Sequence, residues 1–478
     1  MRQIYNMSYI SAFFLFYLLS FTVLAQESES PAEFVNDSAD KPLLSNKPEA
    51  SRVLRRRIDS DFGFTELTFV NGVQIILKST DFDSAQILFS GFSPGGKSLY
   101  LNEDFMSAYM ATTIVKSSGL GDFDKMTLSK KLDSSRAMLY PYIDELYEGI
   151  NGSTASGDLE TLLQLNYLYF TSVRRDEAAF NDLISYLRQQ AAEIETNMIH
   201  SYLNTLYSAV TNNSPRTVTI PTEEQIERIR HNHALNIYSD RFSDASDFKF
   251  VMVGNFDINA VTPLLETYLG GLPSRNRIET WRDVTPQFPP DITVIKRSFQ
   301  GERSRVDIIQ KGDFRWNIRE RIQFSIFSDV LNIRMLETRL EVDNRGKYEV
   351  DISGSVSRFP NPRYSLDIIM HCEPENVNGL ISTLFTEIED LKAFGATVAD
   401  LNRAKEALIS ERKKAIEDNR YWLNTLLGHY RNGDRLMTLN EYNRIVNSVR
   451  PRDIRRIARQ YFKETNYVMG ILSPYSEN

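Results

Sequence analysis

The chain of 478 residues is poor in the side chains from which metal and thiol sites are usually built, with one cysteine and five histidines. The single cysteine, Cys372, excludes an intramolecular disulfide and any metal cluster that needs several thiolates. It ends an apolar run that we interpret as a buried strand, where a small packing residue is more typical than a nucleophile. The sequence also contains no G-x-S-x-G elbow and no Walker-type phosphate loop.

Positive charge is scarce as well. The 55 Lys and Arg residues are outnumbered by 63 Asp and Glu residues, which gives a formal net charge of −8. Because nucleic-acid binding needs a basic footprint on the phosphates, this balance argues against a nucleic-acid partner. The dense basic run of three arginines at residues 55–57 is interpreted as a solvated charge run in a linker, with a binding patch as the less favoured alternative.

The amino terminus has the pattern of a secretory signal peptide. Arg2 precedes an uncharged apolar stretch from about Met7 to Leu24, and Ala25 then leads into a polar segment. A basic start, an apolar centre and a small residue at the end are the three parts of such a signal. We expect residues 1–25 to be a signal peptide and the mature protein to be exported, in the periplasm or at the envelope. A retained membrane anchor is the alternative.

Two lobes are predicted after a polar lead-in. Residues 26–60 are expected to be a disordered linker. The first lobe is assigned to residues 61–275 and the second to residues 285–478, each with strands, then long amphipathic helices and a last buried strand. In the first lobe, Asn71-Gly72 between two β-rich runs indicates a hairpin, and a helical pattern covers residues 176–210.

The ends of the two lobes are alike, which indicates an internal duplication. Tyr238–Phe242 precedes the buried strand Phe248–Gly254 much as Ala458–Phe462 precedes Tyr467–Leu472. Because the helices cluster after the strands instead of alternating with them, the pattern predicts an α+β fold. Each of the two tandem homologous lobes should be an antiparallel-rich sheet with helices packed on it.

Six short segments, taken in their order and spacing, carry a resemblance to a known family: Leu67–Lys78, Phe248–Asp257, Tyr268–Pro273, Val330–Arg334, Gly346–Tyr348 and Asn419–Leu423. Over about residues 60–475 the chain resembles the carboxyl-terminal half of a pitrilysin-type (insulinase superfamily, M16) zinc peptidase. The resemblance implies an M16-like, or LuxS-like, two-lobed fold. It also implies two halves that close as a clam shell around unfolded peptides, with zinc held in the amino-terminal half by a His-x-x-Glu-His helix and a downstream Glu.

The zinc motif is missing from the helix where the resemblance would place it. A catalytic zinc site of this kind takes two imidazoles and a neighbouring carboxylate from one helix, but residues 105–115 contain no His and no Glu. The motif positions fall near Ala108, Ala111 and Thr112, which we expect to be helix core. His231 and His233 are two apart on a predicted helix and are expected to face solvent in different directions. We therefore expect no metal site and no cofactor in this chain, with zinc only in a partner chain.

Two residues are candidates for substrate binding. By the resemblance, Tyr348 matches a family tyrosine that donates a hydrogen bond to the substrate carbonyl or the developing oxyanion. The family arginine stands seven residues earlier, where this chain has Glu341, so Arg339 is assigned in its place, with Arg345 as another substitute. Packing under the preceding helix is the alternative for Tyr348, and packing or a surface ion pair is the alternative for Arg339. No catalytic residue is assigned.

The resemblance predicts a non-catalytic subunit, or half, of an exported zinc peptidase. It would form chamber wall and peptide-binding surface in a heterodimer with a separate zinc-bearing catalytic subunit. It would bind unfolded peptides and be inactive alone, so whether it counts as an enzyme is left open. The alternative is a non-enzymatic peptide-binding or structural envelope module on the same fold, and a third reading is a gene fragment cut from its catalytic half.

Overall fold

The structure is a computed structural model that describes residues 41–341 and 348–475, apart from the side chains of residues 194–196 and 338–341. The predicted signal peptide over residues 1–25, its alternative as an anchor and the first part of the predicted linker lie outside the described residues. In the described part of the chain, none of the helices is long and apolar enough to cross a membrane.

The first lobe is built on a mixed sheet. Its strands are β1 (Val53–Asp59), β2 (Phe64–Phe69), β3 (Gln74–Ser79), β4 (Ile87–Pro94), β5 (Met138–Ile143), β6 (Tyr147–Thr154) and β7 (Lys249–Gly254). Within the described residues they form one seven-stranded sheet in the order β1-β2-β3-β7-β4-β6-β5. Neighbouring strands are antiparallel, except that β3 and β7 run parallel. The predicted hairpin at Asn71-Gly72 is confirmed as the turn between β2 and β3.

The helices of the first lobe are α1 (Phe105–Ser118), α2 (Lys125–Leu132), α3 (Leu159–Thr171), α4 (Glu177–Thr196), α5 (Met198–Val210), α6 (Glu223–Glu227), α7 (His231–Phe242) and α8 (Ile258–Tyr268). α1, α3, α7 and α8 bury their apolar faces with the sheet in one core. The helical pattern over residues 176–210 is two helices and not one. Asn197 separates them, because its side chain accepts hydrogen bonds from the N–H groups of Ile199 and His200 and so caps α5.

The second lobe repeats this plan with a smaller sheet. Its strands are β8 (Thr293–Phe299), β9 (Ser304–Asp313), β10 (Glu349–Ser357), β11 (Arg363–Cys372) and β12 (Val468–Pro474), in the order β10-β11-β9-β12-β8 among the described residues. Its helices are α9 (Ile318–Glu341), α10 (Val377–Phe394), α11 (Val398–Ala415), α12 (Asn419–Asn432), α13 (Leu439–Ser448) and α14 (Pro451–Tyr461).

The two sheets share one topology. Strands β3, β7, β4, β6 and β5 correspond in order to β8, β12, β9, β11 and β10, and in each lobe the first and last of these strands in the chain run parallel to each other. Between β6 and β7, and again between β11 and β12, the structure describes the whole connection, which contains five α-helices each time. The predicted α+β class and internal duplication are therefore confirmed. The limits assigned to the lobes, residues 61–275 and 285–478, stay predictions.

Strand β1 corrects the predicted linker. The expectation of disorder over residues 26–60 is wrong for the last part of that range, because Val53–Asp59 pairs antiparallel with β2. The side chains of this strand are almost all exposed, so the alternation of apolar and polar residues that marks a half-buried strand is missing from its sequence. The arginines at residues 55–57, interpreted as linker charge, therefore lie on an edge strand.

The lobes interlock through one helix each. α12 of the second lobe lies on the sheet of the first, where Leu426 is fully buried beside Ile76 and Val253. α5 of the first lobe lies on the sheet of the second, where the fully buried Tyr202 donates a 2.6 Å hydrogen bond to Asp307. Each of these helices is the third of the five in its lobe, so the duplicated lobes exchange equivalent elements.

Candidate functional site

Helix α1, where the resemblance places the zinc motif, is a core helix. It packs against α4, α7 and β5. Ala108, Ala111 and Thr112 are 1%, 0% and 6% exposed, and both alanines belong to the main apolar core of the first lobe. An alanine side chain has no donor atom, and the thiolates, imidazoles and carboxylates that zinc takes are not found at these three positions. The predicted helix-core role of these residues is confirmed.

The two neighbouring histidines of α7 have separate partners. The ring of His231 stacks on Phe180 with centroids 4.4 Å apart, and its Nδ1 lies 3.0 Å from an oxygen of Glu177. His233 Nε2 lies 2.9 Å from an oxygen of Asp104. The expectation that both face solvent is wrong for His231, which α4 covers and leaves 7% exposed. In the residues that the structure describes, no three His, Cys, Asp or Glu side chains gather as a metal site requires.

The hydroxyl of Tyr348, a candidate for substrate binding, is already hydrogen-bonded within the protein. Tyr348 lies one residue before β10, and its hydroxyl donates a 2.9 Å hydrogen bond to the backbone carbonyl of Met335 in α9. Its ring packs against the core of the second lobe. These contacts are those expected if Tyr348 packs under the preceding helix. To bind substrate, its hydroxyl would have to break the hydrogen bond to Met335.

Arg339, the other candidate, lies in the last turn of α9, but its side chain is outside the described part of the chain. The same holds for the side chains of Glu341 and Arg345. The pairing of an arginine with Tyr348 therefore stays a prediction.

Cys372 is confirmed as a packing residue. It is 1% exposed, in the core of the second lobe at the end of β11. Burial raises the pKa of its thiol, so the reactive thiolate is disfavoured at neutral pH.

A buried charge cluster under the turn after β4 was not predicted. Glu148 is 1% exposed, and its carboxylate accepts a 2.6 Å hydrogen bond from the backbone N–H of Gly96. Burial raises the pKa of Glu148 to about 7, against the opposing effect of the Arg241 guanidinium, which lies 3.7 Å away. Arg241 also pairs with Glu279 at 2.8 Å. Since Glu279 belongs to the connection between the lobes, this cluster fastens the connection to the first lobe.

The glycine pair at residues 95–96 is the sequence signal that could have pointed to this cluster. Gly96 has a φ of 63°, and a Cβ there would come within 2.5 Å of the Asp144 carbonyl oxygen. Only glycine lets the turn come close enough for its N–H to reach the buried carboxylate.

The surfaces best suited to an extended peptide are the sheet edges. Among the described residues, β1 and β5 are the edge strands of the first sheet, and β10 and β8 are those of the second. An edge strand presents unpaired backbone N–H and C=O groups to a further strand. β5 contains Pro141, which has no N–H to donate. β1 has no proline and leaves Leu54 and Ile58 each 66% exposed.

Comparison with known proteins gives the same picture of the fold. Residues 228–408 match the family profile described as the peptidase M16 inactive domain. A zinc protease PQQL-like protein of Arabidopsis thaliana is 24% identical over 427 residues, which cover 85% of this chain and 41% of that protein. The periplasmic protease PqqL from Escherichia coli superposes with a TM-score of 0.75 at 17% identity, covering 94% of this chain and 49% of that one.

A separately solved single domain is also similar. The peptidase M16 inactive domain from Pseudomonas fluorescens superposes with a TM-score of 0.70 at 12% identity, over 87% of this chain and 99% of that one. At these identities the likeness to solved structures shows the fold, and it confirms the predicted two-lobed architecture. The chain spans less than half the length of the Arabidopsis thaliana protein and about half that of the Escherichia coli protease.

Proposed function

We propose that the chain is the non-catalytic half of a zinc peptidase of the M16 type whose catalytic half is a separate chain, since residues 228–408 match the peptidase M16 inactive domain. The observation that carries the proposal is the buried stretch of α1 at Ala108, Ala111 and Thr112. A chain with these residues in place of His-x-x-Glu-His has no means of holding and activating a zinc-bound water on this helix. In this proposal the chemistry comes from the catalytic half.

In this proposal the chain forms part of the chamber wall and part of the surface that binds the peptide. The exchanged helices α5 and α12 join the two lobes into one interlocked body, which is what a chamber wall needs in order to keep its shape around a substrate. Tyr348 and Arg339 are the candidates for contact with the peptide. The Tyr348 hydroxyl can serve a substrate carbonyl only after giving up the Met335 carbonyl.

A reconstitution assay tests the proposal. The purified chain alone should not cleave an unstructured fluorogenic peptide, and adding an M16 chain that carries His-x-x-Glu-His should give cleavage well above that of the added chain alone. The matched control is the same partner with the motif Glu replaced by Gln, which should still associate but not cleave. Chelator-sensitive cleavage by the chain alone would show that the proposal is wrong, and so would the absence of any stable complex.

We also propose that the chain works outside the cytoplasm. Support comes from the signal-like pattern of residues 1–25 and from the likeness to a protease described as periplasmic. Fractionation of cells that express the full chain, followed by amino-terminal sequencing, tests this. A mature chain that begins near residue 26 and is released with the periplasmic fraction is expected, and a cytoplasmic chain that keeps Met1 would refute it.

A non-enzymatic peptide-binding module of the envelope is the second candidate. The exposed, proline-free edge of β1 favours it, because strand addition binds extended peptides without catalysis. Capture of the chain with its partners from envelope extracts distinguishes the two. Peptides or envelope proteins without a zinc peptidase would favour the module, and a chain with His-x-x-Glu-His would favour the peptidase half.

A further inference from the structure

Strand β1 is an addition to the duplicated lobe. In the second lobe, as far as the described residues show, the sheet ends at β8, the counterpart of β3 in the first lobe. The first sheet continues past β3 with β2 and then β1. β1 is therefore not needed to complete the repeated unit, and among the described residues it pairs on one side only, with β2.

The side chains of β1 form two different faces. Residues two apart share a face of a regular strand, so Arg56 and Ile58 lie on one face and Arg55 and Arg57 on the other, while Leu54 lies at a bulge between Val53 and Arg55. Ile58 on the first face and Leu54 at the bulge are exposed apolar side chains, each 66% accessible. The second is basic, with the Arg55 and Arg57 side chains 65% and 51% accessible.

The positive charge of β1 is only partly neutralised. Arg57 lies 2.8 Å and Arg55 3.6 Å from the same carboxylate, that of Glu66, so two cations share one anion. Among the described residues, the Arg56 guanidinium has a long 3.4 Å contact with the side-chain oxygen of Asn259 and no ion pair. In a chain with a net charge of −8, this edge is a local excess of positive charge.

We propose that β1 is a docking edge for an acidic, extended segment of a partner protein, bound by strand addition. The segment pairs with the backbone edge of β1 beyond Val53, whose N–H already donates to the Glu266 carboxylate. It places carboxylates beside Arg55 and Arg57 and lays aliphatic side chains over Ile58. A second copy of this chain is a less favourable occupant, because antiparallel pairing of β1 with itself about Arg56 sets arginines opposite arginines. Edge strand β10 has the wrong charge, with Glu349 and Asp351 exposed on it.

The proposal does not depend on the peptidase partner. A partner chain with the zinc motif could supply the segment, and so could an envelope protein, because recognition lies in the alternation of acidic and aliphatic residues. Failure of the reconstitution assay would therefore leave this inference standing. Failure of the peptide experiment below would leave the proposed peptidase half standing and would remove the support that the β1 edge gives to the second candidate.

The first test uses a labelled peptide of three Val-Glu repeats with blocked ends and the full chain, followed by fluorescence anisotropy. Binding should be saturable and should weaken as salt is raised, since exposed charges are screened. The exposed variant Arg55→Glu, on the face that meets the peptide's carboxylates, should weaken it by roughly tenfold or more, because an attraction across the strand pair becomes a repulsion. The matched control is Arg297→Glu on the other basic edge strand, β8, which should bind as the unchanged chain does.

The second test separates strand addition from simple charge attraction. Alternate N–H groups of an extended peptide face opposite edges, so methylating the nitrogens of all valines or of all glutamates blocks one edge each. One of the two methylated peptides should lose binding and the other should keep it. Equal binding of the two methylated peptides, or equal loss of binding by both, would overturn the proposal. It would also be overturned if Arg297→Glu weakened binding as much as the charge reversal on β1. The absence of saturable binding would do so too, and would leave the arginines as charges that only protect the edge from aggregation.

Discussion

Replacing Glu148 with Gln should change how the stability of the protein depends on pH. The Glu148 carboxylate is 1% exposed, and burial raises its pKa to about 7, although Arg241 opposes the shift. Since the folded-state pKa lies above the ordinary value of 4.5, the folded protein favours the protonated form. The stabilisation from this proton is complete below the ordinary pKa and is lost as the pH rises through about 7. A glutamine at position 148 is neutral at every pH, so the variant does not have this pH-dependent loss of stability.

The size of the effect follows from the shift. One pKa unit corresponds to about 1.4 kcal/mol, so a rise from 4.5 to about 7 corresponds to about 3 kcal/mol of unfolding free energy between acid and mildly alkaline pH. The substitution keeps an acceptor oxygen for the Gly96 N–H. Arg241 keeps Glu279 and Asp240, so the variant leaves no unpaired buried cation.

Urea unfolding at a series of pH values between 4.5 and 8.5 measures the effect. The difference in unfolding free energy between Glu148→Gln and the unchanged chain should grow in favour of the variant as the pH rises. The effects of groups that do not interact with Glu148 cancel in this difference. If the unfolding free energies of the two proteins, plotted against pH, stay parallel across this range, the reasoning is refuted.

Glu66→Gln is the control with the opposite sign. Burial would raise the pKa of Glu66, but hydrogen bonds from Arg57 and Tyr430 outweigh it and lower the pKa. Its stabilisation is therefore present above the ordinary pKa and is lost as the pH falls. The variant should be less stable than the unchanged chain at neutral pH and should approach it in acid.

Three further predictions concern packing and the candidate residues. Leu426→Ala, at the fully buried contact of α12 with the first sheet, should cost about 2–5 kcal/mol in urea unfolding and leave one cooperative transition; a loss below about 1 kcal/mol would mean that the helix is not tightly packed. Tyr348→Phe should cost about 1 kcal/mol through the lost hydrogen bond to Met335, and a loss of cleavage in the reconstituted complex without loss of assembly would add a substrate role to the packing role. Cys372 should react with a disulfide reagent only in denaturant, and fast reaction of the native chain would contradict its burial.

The duplication could be predicted from sequence because it depends on local patterns. Long amphipathic helices and buried final strands have periodicities that neighbouring residues alone define. Thr397 begins α11 as an N-cap, a local contact of its side chain with the N–H of Asp400. The exchange of α5 and α12 could not be predicted, since an apolar helix face does not specify which lobe it covers. Tyr202 and Leu426 are ordinary core residues by sequence and become contacts between the lobes only in the structure.

The charged elements were the hardest to predict. β1 has exposed side chains on both faces, so its pairing depends on the backbone and leaves no pattern in the sequence. Glu148 and Arg241 lie far apart in the chain, and their burial comes from tertiary contacts that no spacing reveals. The candidate zinc positions were simpler, because the absence of His and Glu from residues 105–115 is a fact of composition.

The reciprocal placement of α5 and α12 has a consequence for the origin of the chain. Equivalent elements that cover each other's sheets are the arrangement of an isologous dimer, in which the same surface of each subunit meets the other. A fused pair of such subunits keeps the exchanged helices and needs only a connection, and here residues 274–291 provide it without a helix or strand of their own. The molecule is thus organised like a symmetric dimer in a single polypeptide, and the added β1–β2 hairpin is one place where that symmetry is broken.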